Sequence, residues 1–122
     1  MHYCNEFIIK YNMQIREISL KELDLVYDVV VKLYDSLTYD EFEDLIYEMR
    51  DMNYKMLGII DKDELISYAG VTIQTTFLDK RHLRVFDFIT SKNHNIEKYD
   101  NLMKDFLNDY AKMAMCESVK YE

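Results

Sequence analysis

The chain has 122 residues, 49% of them hydrophobic, and a formal net charge of -8 at pH 7. That length supports one domain with a buried core. The acidic balance argues against nucleic acid as a direct ligand, because phosphate neutralisation needs clustered Lys and Arg, and no apolar run reaches the length of a membrane span.

The N-terminus shows no basic segment followed by a long apolar one, so no secretory leader is expected. Cys4 and Cys116 have neither metal nor redox spacing, which predicts reduced thiols in a soluble cytoplasmic protein. No metal site is expected. Residues 1–12 read as an N-terminal extension and 13–122 as a single domain. In the extension, Phe7-Ile8-Ile9 either docks on the core or forms a short strand. Residues 13–19 alternate well enough for a first strand. Ser19 and Glu22 then form a capping box, and Leu23, Val26, Val30, Leu33 and Leu37 give the stripe of a first helix. Thr38 and Glu41 repeat the box, and Phe42, Leu45, Ile46, Met49 and Met52 mark one face of a second helix. Asp40, Glu41, Glu43 and Asp44 crowd its first turn, where the helix dipole favours them; they read as a cap and a solvated face rather than a cation site.

Strands are predicted over 54–60 and 65–77, separated by the polar turn Asp61-Lys62-Asp63-Glu64. Gly70 inside the second of these suggests a bulge or a close backbone approach. A further strand from Arg81 to Thr90 is rich in β-branched and aromatic residues and is interrupted by Asp87. The period changes at Tyr99, and Leu102, Met103, Phe106, Leu107, Tyr110 and Met113 line one face of a long helix. A short strand comes last, over 116–121. The fold class is therefore α/β, a mixed sheet flanked by helices in the order β-α-α-β-β-β-α-β.

This order, together with 54–61 and 65–70 as a first hairpin, 83–90 as a central strand, and 105–118 as a helix leading into a strand, resembles the GNAT-type N-acetyltransferases. The resemblance spans residues 13–121 and implies a C-terminally short member, because the family usually continues with another helix and two strands. It implies acetyl-CoA as cofactor, held by Phe88, Ile89 and Thr90 on the central strand and by Tyr99 at the start of the next helix. It also implies an amine or protein acceptor. The family's loop carries a basic residue or Gln, two spacers, then Gly, any residue, Gly. The matching window here is Asn95-Ile96-Glu97-Lys98-Tyr99-Asp100, with Lys98 and Asp100 at the glycine positions. Glu97 and Asp100 oppose an anion there, Lys92 and Lys98 offset part of that, and Asp100 is expected to cap the helix. Weak cofactor binding is the expectation.

Asp87 is the candidate general base, within the cofactor strand. The alternatives are a solvent-facing Asp87 or a pair with Arg81 or Arg84. His82 and His94 are expected to be exposed, and Tyr68 and Tyr110 to be core. Two functions fit: an acetyl-CoA-dependent N-acetyltransferase with a degenerate pyrophosphate loop, or a non-catalytic GNAT-like module acting through protein contacts. The last strand is expected at an open edge beside Met113 and Met115, favouring a homodimer or a protein partner there.

Overall fold

In the computed structural model, which describes residues 13–122, five strands form one sheet in chain order. They are β1 (Met13–Glu17), β2 (Lys55–Asp61), β3 (Glu64–Thr76), β4 (Lys80–Thr90) and β5 (Ser118–Tyr121). Neighbours pair antiparallel except β4 and β5, which run parallel because a helix crosses over between them. Helices α1 (Leu23–Val30) and α2 (Tyr39–Arg50) cover one face, and α3 (Ile96–Met113) covers the other. The observed order is the one read from the sequence. Among the described residues no helix is long and apolar enough to cross a membrane, and no group of three or more His, Cys, Asp or Glu side chains is placed to hold a metal.

The period-2 alternation of the strands feeds two cores. On β2, Met56 and Ile60 pack toward α1 and α2 with Val26, Phe42 and Ile46. Leu57 and Ile59 point the other way, onto Met103, Leu107 and Ala111 of α3. Both capping boxes form, Ser19 with Glu22 ahead of α1 and Thr38 with Glu41 at α2. Arg16 donates to both oxygens of Glu22, at 2.9 and 2.7 Å. Those bonds, then the Ser19 backbone N–H, hold the Glu22 carboxyl down at about 2. The β2–β3 turn is made by Lys62 and Asp63, both left-handed at φ 52° and 65° without a glycine.

Five expectations are corrected. The first helix was predicted to reach Leu37 but stops at Val30, and 31–37 forms turns. Three consecutive valines, Val29 to Val31, disfavour the helix, and Tyr27 Oη donates to the Leu37 carbonyl at 2.7 Å, folding the segment back. Leu33 and Tyr34 are exposed as a result. The third helix starts a turn earlier than its apolar period indicates. Its cap is Asn95, whose Oδ1 accepts the Lys98 N–H at 3.1 Å, and not Asp100. His82 is wholly buried rather than exposed, its Nδ1 2.8 Å from the Lys80 carbonyl. His94 is half-buried, with Nε2 3.1 Å from Glu64. Tyr68 is core, as expected, whereas Tyr110 is half-buried on α3. Cys116 is a half-buried free thiol. Cys4 and the Phe7-Ile8-Ile9 segment lie outside the described residues.

Candidate functional site

The site begins with an extra residue in β4. Gly70 pairs with Asp87 and Val71 with Val85, so Phe86 has no partner and forms a bulge. Regular alternation would put Leu83, Val85 and Asp87 on one face. Leu83 and Val85 do face α3. The bulge turns the remainder of the strand: Ile89 joins the core under α1 and α2, and Asp87 reaches the hydroxyl cluster on that face.

Tyr54 donates to Asp87 Oδ2 at 2.7 Å, and Tyr34 donates to Oδ1 at 3.3 Å. The Tyr54 and Tyr68 hydroxyls are 2.8 Å apart. Tyr54 spends its one proton on Asp87, so Tyr68 is the donor to Tyr54. Burial, then the neighbouring Tyr68 and Asp87, push the Tyr54 hydroxyl well above the ordinary tyrosine range. Burial does the same to Tyr68. The Asp87 charge is the main cause raising Tyr34. All three therefore stay protonated at neutral pH and act as donors. Gly70 makes this arrangement possible, because a Cβ there would fall 1.5 Å from Tyr54 Oη. The close approach suspected at Gly70 and the register shift beside it both occur. Asp87 is half-buried, neither solvent-facing nor paired with arginine: Arg81 donates to the Ala114 carbonyl, and Arg84 engages Gln74 and Glu122.

Asp87, Tyr34, Tyr54 and Tyr68 form the polar corner of a cavity of about 370 Å³, whose other walls are mostly apolar and come from α1, α2 and the turns between them. Next to it along β4 and α1 runs a groove of about 500 Å³, lined by Phe88, Ile89 and Thr90 and flanked by Lys32 and Lys92. Among the described residues, β5 pairs only with His82 to Val85. The Glu122 N–H closes that pairing at the Val85 carbonyl. From Asp87 to Thr90, β4 has no strand neighbour on that side among the described residues.

Of the residues proposed from the sequence, Asp87 lies in the cavity, and Phe88, Ile89 and Thr90 lie together in the groove. Tyr99 lies elsewhere, packed on the α3 side against the His94 ring at 5.9 Å and under Lys98 at 5.2 Å. Asp100 turns back to accept from Thr90 Oγ1, which is also 2.9 Å from Ser67 Oγ. That chain ties the start of α3 to β3 and β4. Sequence reasoning missed Tyr54 and Tyr34. The available signal for Tyr54 was Gly70: a residue without a side chain in an apolar strand marks where a large neighbour crosses.

A mixed sheet with two helices on one face and a crossover helix on the other, its central strand bulged and open along one edge, defines an α/β protein with a groove at that edge. Comparison with solved structures makes the class specific: this is the GNAT-type N-acetyltransferase fold. An aminoglycoside N-acetyltransferase in complex with CoA aligns with a TM-score of 0.77 at 10% identity, covering 90% of this chain and 76% of that one. Glucosamine-6-phosphate N-acetyltransferase from Arabidopsis thaliana aligns at 0.73 and 18% identity, over 90% and 81%. Ribosomal-protein-alanine N-acetyltransferase from Brucella melitensis aligns at 0.74 and 15%, over 90% and 79%. Comparison of the sequence with protein-family models and with curated proteins finds no match.

Proposed function

We propose that the protein is an N-acetyltransferase that uses acetyl-CoA as donor and takes a primary amine as acceptor in the cavity at Asp87. One observation carries this reading: a half-buried carboxylate stands in an apolar cavity, directly beside the unpaired edge of β4. The groove suits the amide-bearing arm of an acyl-CoA, because among the described residues no strand pairs with that edge and Lys32 and Lys92 flank it. The start of α3 suits a diphosphate less well. The Lys98 N–H is taken by Asn95, and side chains stand at Lys98 and Asp100 where glycine would let the backbone approach. When bound, acetyl-CoA supplies an activated thioester. The chain's own residues do the rest. Asp87 holds the ammonium and takes the proton that must leave before the free amine can attack; the second N–H proton would leave with the departing CoA thiolate, as the thiol. Tyr54 and Tyr34 fix the carboxylate's orientation, and the apolar wall excludes water.

A second reading, a non-catalytic module working through protein contacts, is favoured by the self-capped start of α3. In it the edge strand β5, beside exposed Met113 and Met115, is the contact surface, and a homodimer in sedimentation at micromolar concentration supports it.

The two readings separate in a transfer assay. Incubation with acetyl-CoA and a panel of primary amines, followed by mass spectrometry, is expected to give N-acetylated product from the parent and a large loss in Asp87→Asn. Equal product from the variant removes Asp87 from its role. No product from any amine removes the transferase reading.

A further inference from the structure

The cavity at Asp87 is not built for a polycation. Its apolar wall comprises Val30, Leu37, Phe42, Leu45, Ile46 and Met49. Asp87 is the one carboxylate among the lining residues, and the remaining polar side chains are the hydroxyls of Ser36 and the three tyrosines. A volume of about 370 Å³ holds roughly twelve non-hydrogen atoms, at the space a water-sized group takes in a liquid. One negative charge against an apolar wall selects a ligand with one positive charge and an apolar body. A second ammonium pushed against that wall would lose its hydration without gaining a partner. Tyr54 and Tyr34 already donate to Asp87, leaving a carboxylate that can accept further but offers no second anionic point.

Resting on the reading of this cavity as the acceptor site, we propose that the acceptor is a small apolar monoamine. It carries one primary ammonium on an alkyl chain or aromatic ring that fills the space between α1 and α2. Polyamines and aminoglycosides, which carry several ammonium groups, do not match the wall.

The test uses the full chain, with and without acetyl-CoA, titrated with n-hexylamine, 2-phenylethylamine, 2-phenylethanol and spermidine and followed by amide NMR. Both monoamines are expected to saturate with shifts at Leu45, Met49 and Asp87. The alcohol and spermidine are expected to bind at least about tenfold more weakly. Asp87→Asn should weaken the monoamines by a similar factor and leave the alcohol unchanged. Leu45→Glu alters an exposed position on the cavity wall and should shift preference toward spermidine. Spermidine binding as tightly as hexylamine, monoamines unaffected by Asp87→Asn, or monoamines that do not bind at all would overturn the proposal. Monoamine binding without acetyl-CoA binding removes the transferase reading and leaves only the cavity's choice of a monoamine ligand standing. Acetyl transfer to spermidine or a peptide with none to monoamines does the reverse.

Discussion

Replacing Gly70 by Ala isolates the support beneath Asp87. A Cβ at this position meets Tyr54 Oη at 1.5 Å, Cζ at 2.2 Å and Cε1 at 2.7 Å. These atoms belong to a stiff, buried ring, so the whole side chain must leave its place. It then gives up two hydrogen bonds, to Asp87 and from Tyr68, each worth about 1 kcal/mol net. Repacking a ring that no longer fits adds about 2 kcal/mol. The total of about 4 kcal/mol, at about 4 °C per kcal/mol for a domain of this size, lowers Tm by about 15 °C. Thermal denaturation followed by circular dichroism measures it. Combining Gly70→Ala with Tyr54→Leu should cost less than the sum of the two single changes, because the colliding ring is already gone. A Tm shift below about 3 °C for Gly70→Ala, or strict additivity in the double variant, would refute the reasoning.

Asp87→Asn keeps one oxygen to accept from Tyr54, so urea unfolding should show a loss of about 1 kcal/mol; a much larger loss would make Asp87 a structural partner and remove the base assignment. Glu22→Gln tests the Arg16 contact through pH. The folded-state carboxyl lies at about 2, below its ordinary value, so its stabilisation is complete above about pH 4.5 and disappears as pH falls toward 2. The parent should exceed the variant in stability by about 1 kcal/mol at pH 7, with the difference closing in acid. Lys62→Asn with Asp63→Gly relieves two left-handed residues in a two-residue hairpin turn, and chemical denaturation should show a gain of about 1 kcal/mol. Asn95→Ala removes the α3 cap and should cost about 1 kcal/mol, read from the same denaturation curves.

The elements whose signals are local were legible in the sequence. Ser19–Glu22 and Thr38–Glu41 place both helix starts because a capping box needs only four residues. The strands were legible because their alternation matches the two cores. The features that escaped depend on residues distant in sequence. Regular alternation gives Asp87 the same side as Val85, and only the unpaired Phe86, visible once β3 is beside β4, turns it toward Tyr54. The early end of α1 depends on Tyr27 reaching the Leu37 carbonyl. The start of α3 was misplaced because apolar spacing begins late, while Asn95, a good cap residue, was read only as a mismatch to a family pattern. In the site, Asp87, Phe88, Ile89 and Thr90 were proposed from the family resemblance of their strand, and they line the cavity and the groove beside it. Tyr54 and Tyr34 were not proposed, because neither carries a motif and both act through the fold.

Titration of acetyl-CoA into isotope-labelled protein tests the central claim most directly, since it asks whether the open edge of β4 is a cofactor groove. The account predicts saturable shifts at the amides of Phe88, Ile89 and Thr90, with a dissociation constant on the order of 0.1 mM, weak because Asn95 and not a glycine loop begins α3. Amides at those three positions that stay unmoved at several times that concentration would contradict it.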